Sequence, residues 1–222
     1  MTCRDLHSAL ARPELVRQLD LRRQGLHSIA DVPWERFTQL SSLDLSDNQL
    51  RFLPKRMQAL TGLRSLFLGK NRFSSLPDWL PELRSLRQLS ASRNRLHDLP
   101  ELPAELEILD LQQNKLKDVP PAVLACPRLL NLYLGKNPFQ EITATLTGLT
   151  QLRILDLSHC GLHHLPALPV SLSRLDAPHN KLETLASNWT QLARLEKIDL
   201  AHNPIVLATE DFVHFPGLRF LH

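Results

Sequence analysis

Leu63–Phe73 reads LRSLFLGKNRF, and Leu129–Phe139 reads LLNLYLGKNPF. Both stretches put Leu at the first, fourth and sixth positions, Asn at the ninth and Phe at the eleventh. The alternating Leu-x-Leu at positions four to six predicts a short strand with one face buried. The two copies share a frame, which raises the question of how far along the chain it extends.

The pattern L-x-x-L-x-L-x-x-N-x-L fits at Leu40–Leu50, Leu63–Phe73, Leu86–Leu96, Leu106–Leu116, Leu129–Phe139, Leu152–Leu162, Leu172–Leu182 and Leu195–Ile205. A degenerate first copy runs Val16-Leu19-Leu21-Gln24-Leu26, and a clipped last one is Leu218-Leu221. The ninth position falls on Asn48, Asn71, Asn94, Asn114, Asn137, Cys160, Asn180 and Asn203, at intervals of 23, 23, 20, 23, 23, 20 and 23 residues. Fixed self-similarity at this period marks a stacked repeat architecture. One repeat cannot bury its own apolar edge, whereas stacked neighbours build a continuous core. The ninth-position amide has a separate task. Where the chain leaves the strand, backbone N–H and C=O groups would be buried unpaired, and a short amide satisfies both kinds. Cys160 is read as a structural substitute in that slot.

On these residues the chain resembles the leucine-rich-repeat proteins over about residues 16–222. Most copies are similar to the 23-residue type, with Leu-Pro after the ladder as at Leu53-Pro54 and Leu76-Pro77. The two 20-residue copies carry Leu-Pro-x-Leu-Pro-x-x-Leu. In this they resemble repeats of effectors that Gram-negative bacteria deliver into host cells, ubiquitin-ligase effectors among them. The resemblance implies an α/β fold: a right-handed solenoid, or horseshoe, with a curved parallel β-sheet on its concave face. It also implies a single domain over 1–222, with an N-terminal cap helix in 1–15 and nine to ten repeats over 16–222, the last incomplete.

The return segments differ in kind. Pro54–Leu60 has room for a helical turn opened by Pro. Pro100-Glu101-Leu102-Pro103 and Pro166-Ala167-Leu168-Pro169 favour an extended path, which suits copies three residues shorter. Thr2 to about Ala11 reads as a short amphipathic cap helix, with Thr2 and Asp5 a rough capping box. The far end stops inside a strand pattern, so further chain or an assembly is expected to cover its edge.

Composition narrows the function classes. The chain has 222 residues, of which 50 are Leu and 5% aromatic, so its core repeats one packing environment. The net charge of +3, from 26 basic and 23 acidic residues, argues against nucleic acid. No apolar run approaches the roughly 20 residues of a membrane span. Three scattered cysteines, Cys3, Cys126 and Cys160, form neither a disulfide framework nor a metal motif, and with no signal-peptide pattern they point to the cytoplasm. An effector-like protein would be delivered from there to a host cell. There is no Gly-rich phosphate loop, G-x-S-x-G or H-E-x-x-H. Cys3-Arg4-Asp5 has the Cys-x-Asp spacing of the ubiquitin-ligase effectors but stands ahead of the repeats, so no catalytic residue, cofactor or metal is assigned.

Residues flanking the buried strand leucines are expected to face a partner. The mid-strand row runs Asp20, Asp44, Phe67, Ser90, Asp110, Tyr133, Asp156, Asp176, Asp199. The row before the ladder runs Arg23, Asp47, Lys70, Arg93, Gln113, Lys136, His159, His179, His202. The candidate partner-binding set is Phe67, Lys70, Arg93, Tyr133, Lys136, Asp156, His159, Asp176, His179, Asp199 and His202. Phe67 and Tyr133 are aromatic anchors, each beside a Gly and a Lys. The Asp/His pairs in three adjacent repeats suit a pH-sensitive or metal-binding patch; the alternative is a solvated face on which the histidines relieve repulsion between the carboxylates. LPALPVSLSRLDAPHNKL (Leu165–Leu182) and LPELPAELEILDLQQNKL (Leu99–Leu116) share their building letters; Pro178-His179 against Gln112-Gln113 is where specificity differs. The expected function is non-enzymatic binding of a protein partner through the concave sheet. The alternative is the substrate-targeting part of a larger bacterial effector or ubiquitin ligase.

Overall fold

The computed structural model describes residues 1–206 and 217–221. Its main element is one parallel sheet of eleven strands in strict chain order. The strands are β1 Thr2–Cys3, β2 Gln18–Asp20, β3 Ser42–Asp44, β4 Ser65–Phe67, β5 Gln88–Ser90 and β6 Ile108–Asp110, then β7 Asn131–Tyr133, β8 Ile154–Asp156, β9 Arg174–Asp176, β10 Lys197–Asp199 and β11 Phe220–Leu221. The central residue of each strand from β2 to β10 is a buried Leu or Ile, with more open residues on either side. This is the solenoid the period predicts. Each strand from β1 to β10 contributes one core position at its buried residue, and stacking makes the core continuous from Cys3 to Leu200.

Register follows the repeat rather than the residue count. Leu89 of β5 pairs with Leu109 of β6 across a 20-residue copy, and Leu109 pairs with Leu132 of β7 across a 23-residue one. The difference is absorbed in the returns. Lys55–Ala59, Trp34–Arg36, Leu80–Glu82 and Trp189–Gln191 form 3-10 turns, and α2 is Pro121–Leu124. The stretches 97–103 and 163–169 of the short copies contain no helix.

The amide ladder completes the core. Asn71 Nδ2 donates to Leu45 O at 2.9 Å and Leu68 O at 3.0 Å, while its Oδ1 accepts from Leu50 N at 3.0 Å. Asn48, Asn94, Asn114, Asn137, Asn180 and Asn203 repeat this arrangement. At Cys160 the geometry changes. Its thiol reaches Leu134 O at 3.6 Å and Ser158 O at 3.5 Å, and it offers no carbonyl oxygen. Phe139 N turns instead to Asn137 O at 2.9 Å. Asn180 Oδ1 accepts from both Cys160 N and Leu162 N. The backbone at Asn137, and not the neighbouring amide, therefore takes the N–H that Cys160 cannot accept.

The N-terminus departs from expectation. Thr2 does not cap a helix; it begins β1, which pairs with β2. The helix α1 is only Leu6–Ala11, and Asp5 is its N-cap, with Oδ1 accepting from Ser8 N at 2.7 Å. That bond holds the Asp5 carboxyl below the usual carboxylate range. The aspartate is a better cap than a partner for one, because an N-cap acceptor needs extended backbone directly before the first turn.

Candidate functional site

Strand register turns the residues of the expected mid-strand row, which stand last in strands β2 to β10, into one row on the face opposite the core. Asp20, Asp44, Phe67, Ser90, Asp110, Tyr133, Asp156, Asp176 and Asp199 are successive partners across β2–β10. At about 4.8 Å per strand, Phe67 and Tyr133 stand roughly 14 Å apart, so they are two separate anchors.

Most of the aspartates in this row have a local task. Oδ1 accepts from the N–H two residues on in five of them: Asp20 from Arg22, Asp44 from Ser46, Asp110 from Gln112, Asp156 from Ser158 and Asp199 from Ala201, at 2.8–3.1 Å. This Asx-type bond shapes the exit from the strand. Asp176 lacks that option because Pro178 has no N–H. It accepts from Arg174 Nε at 2.6 Å instead. Asp156 is only 8% exposed and also accepts from Gln112 Nε2. Of the candidate carboxylates, Asp156 is thus turned inward. A Cβ on Gly135 would lie 2.6 Å from Ser158 Oγ and 3.1 Å from Asp156 Oδ1. The Gly beside the Tyr133 anchor is there to make room for the next repeat's aspartate turn.

The second row begins where those turns end. Arg23, Asp47, Lys70, Arg93, Gln113, Lys136, His159, His179 and His202 all have φ between 54° and 60°. Left-handed backbone is uncommon outside glycine and disfavours branched side chains. Here it repeats because each of the first eight donates its N–H to a carbonyl of the next repeat, for example Lys136 N to Ser158 O at 2.7 Å and His179 N to Ala201 O at 2.9 Å. The kink lifts one side chain per repeat to the sheet edge.

Charge is arranged unevenly along this edge. In the first repeats the ions are paired. Arg22 meets Asp20 at 2.8 Å and Asp44 at 3.3 Å, and Asp47 takes Arg23 at 3.1 Å and Lys70 at 3.6 Å. The hydrogen bond to Arg22 holds Asp20 below its ordinary range. These residues, with Arg4 and Arg93, line a groove of about 600 Å³. Arg93 and Lys136 have no ion pair among the described residues. They meet His159 and His179 around a second cavity of about 420 Å³, together with Gln112 and Ser158. The three histidines stack. His159–His179 centroids are 4.2 Å apart and His179–His202 4.1 Å, both nearly parallel at 11°. His179 titrates below its ordinary value, through desolvation by its neighbours and repulsion from protonated His202 and His159.

The stack comes from three identical letters at one repeat position. Sequence marks Gln112 only as a point where the two short copies differ and gives Ser158 and Arg174 no task; in the structure Gln112 and Ser158 position Asp156, and Arg174 positions Asp176. The signal is that each lies two residues from an aspartate of the row.

Cys3, Cys126 and Cys160 are buried and unpaired. Burial pushes the Cys126 thiol up to about 11 and the Cys160 thiol up to about 12. Since the thiolate is the reactive form, neither is expected to label with a maleimide at pH 8 until the protein is unfolded. Labelling of Cys160 in the native state, followed by peptide mass spectrometry, would contradict this placement. Cys3 is 4% exposed with Asp5 committed to α1, so Cys3-Arg4-Asp5 presents no open nucleophile. No grouping of His, Cys, Asp or Glu suited to a metal occurs among the described residues.

The fold and ladder define a leucine-rich-repeat solenoid, and known proteins agree. A leucine-rich-repeat family model matches residues 14–73 and 104–162. The chain belongs to the leucine-rich-repeat family. It is 34% identical over 107 residues to fibromodulin of Oryctolagus cuniculus, covering 47% of this chain and 73% of that one. It is 32% identical over 108 residues to lumican of Mus musculus, covering 47% and 32%. Among solved structures, an internalin of Listeria monocytogenes superposes with a TM-score of 0.77 at 22% identity, over 98% of this chain and 64% of that one. A leucine-rich-repeat protein of Leptospira interrogans gives 0.70 at 24%, over 100% and 76%. A plant peptide hormone receptor, RGFR1, solved in complex with RGF2, gives 0.73 at 21%, over 99% and 36%. These likenesses establish the shared fold. No described helix is long and apolar enough to cross a membrane.

Proposed function

We propose that the chain is a non-enzymatic module that binds a protein partner across the concave, open face of its sheet. The observation that carries this reading is the unbroken in-register row from β2 to β10, in which Phe67 and Tyr133 are half-buried aromatics set among polar neighbours. Aromatic anchors ringed by polar groups supply contact area and register together. The complex of RGF2 with a peptide hormone receptor of the same fold is compatible with such a face. The three unpaired buried cysteines fit a reducing, cytoplasmic setting.

The test is a pull-down with the purified protein and the double substitution Phe67→Ser, Tyr133→Ser. Both side chains sit outside the core cluster, so the melting temperature should stay within a few degrees while partner recovery falls at least about tenfold, two lost anchors being worth roughly 2 kcal/mol or more. Undiminished recovery would move the interface elsewhere.

A further inference from the structure

The cations along the sheet edge fall into two groups. Arg22, Arg23, Lys70 and Arg174 are each held by a carboxylate of the wall. Among the described residues Arg93 and Lys136 are not, and both line the cavity that His159 and His179 also face. No carboxylate lines that cavity, and Asp156, in the same repeat as Ser158 and His159, forms no ion pair with either cation among the described residues. It is buried, with Oδ1 on Ser158 N and Oδ2 taken by Gln112 Nε2. Exposed cations normally find acids or water, and several that converge on one concavity with the local acid engaged elsewhere make a receptor for an oxyanion. The remaining polar groups of the wall, the amide of Gln113 and the hydroxyls of Ser92 and Ser158, are able to donate.

We propose that this pocket is an oxyanion subsite, which accepts a carboxylate or phosphoryl group presented by the protein partner. The proposal rests on the protein-binding reading above and sharpens it by naming the chemistry that the partner brings. Arg93 and Lys136 supply fixed positive charge. His159 and His179 supply charge that depends on pH.

The stack sets how that charge appears. Two parallel imidazoles at 4.2 Å resist being protonated together. Arg93 and Lys136 share the cavity; at His179, desolvation first and then the stacked His202 and His159 oppose protonation, while Asp199 favours it. His179 therefore takes a proton at lower pH than an ordinary histidine when the pocket is empty. A bound anion reverses the balance and draws a proton in. Linkage then requires that the anion bind more tightly as pH falls.

The experiment follows the histidine ring signals by NMR while the intact chain is titrated with inorganic phosphate, and separately with malonate, against sodium chloride of equal ionic strength. The signals of His159 and His179 should shift and saturate at roughly millimolar anion, with His97 and His7 unmoved. Saturation by phosphate alone identifies the group as phosphoryl, and by malonate alone as carboxylate. Saturation by neither overturns the proposal. The variant Arg93→Gln, Lys136→Gln should weaken binding about tenfold or more, and Gln is already accommodated on this backbone at Gln113. Equal affinity in the variant, or equal shifts at His97, would also overturn it. Affinity should fall about fivefold or more between pH 6 and pH 8, and a flat profile would remove the histidines from the site. In the pull-down, loss of partner by the Phe67/Tyr133 variant with retention by the Arg93/Lys136 variant sinks the subsite and leaves the concave-face reading standing. Retention by both sinks the two together.

Discussion

Asn137→Ala is expected to lower the unfolding free energy by about 3 kcal/mol. Asn137 is 2% exposed. Its Nδ2 donates to Leu111 O at 3.0 Å and Leu134 O at 2.7 Å, and its Oδ1 accepts from Leu116 N at 3.1 Å. Alanine leaves the buried Leu116 N–H without its acceptor, reduces Leu111 O to the bond from Asn114 Nδ2 at 2.9 Å and leaves Leu134 O with only the Cys160 thiol at 3.6 Å. A buried polar group left unpaired costs roughly 1–3 kcal/mol. For a chain of this size the loss corresponds to a melting temperature lower by roughly 6–12 °C. Cys160→Ala is the internal comparison. Its thiol makes only 3.5–3.6 Å contacts, and the neighbouring backbone has already rerouted, so the cost should be clearly smaller. Equal losses at the two positions, read from thermal and urea unfolding, would show that the amide is not what holds the ladder.

Leu132→Ala should cost about 3–4 kcal/mol. Leu132 is fully buried in β7 and stands in register between Leu109 and Leu155, which are also fully buried. The strands on either side are fixed by their own ladder bonds, so the gap cannot close by moving one repeat toward the next. That places the residue near the upper part of the usual range for such truncations. Val170→Ala provides the contrast: Val170 is 56% exposed, and the change should lie within about 0.5 kcal/mol of zero. A small loss for Leu132→Ala in urea unfolding would mean that the solenoid collapses around the cavity.

The two stability predictions rest on features that were legible in the letters. Leu132 and Asn137 occupy the fourth and ninth positions of a frame that repeats, and the frame alone assigns one to the core and the other to the turn. The short returns at Pro100–Pro103 and Pro166–Pro169 were legible for the same reason, because proline restricts φ wherever it stands. The task of the aspartates was not. An Asp in that row reads as a surface carboxylate until one knows that the N–H two residues on lies 2.8–3.1 Å from it. Pro178, which removes that N–H, shows by exception what the others do. By its letters Asp156 is a partner contact, and nothing in its own repeat shows that Gln112, two strands away, reaches across to it. The histidine stack was half legible. Three His at one position place the rings on one edge, but their parallel approach depends on the left-handed backbone beneath them, which no side-chain pattern reports. The start of α1 was misplaced because Thr and Asp both make good caps, and only the pairing of Thr2 with β2 decides between them.

The row of left-handed residues has a consequence for how such a protein changes over generations. Its backbone bonds are made by main-chain N–H groups, and its nine side chains include arginine, lysine, glutamine, aspartate and histidine but none branched at Cβ. The architecture therefore filters shape at these positions and ignores charge. A single nucleotide change can swap one admissible letter for another while the core and ladder stay as they were. Duplication of a whole repeat would append one more letter, roughly 4.8 Å further along. Affinity for a new target is thus separable from foldability, and selection can edit the message without endangering the page on which it is written.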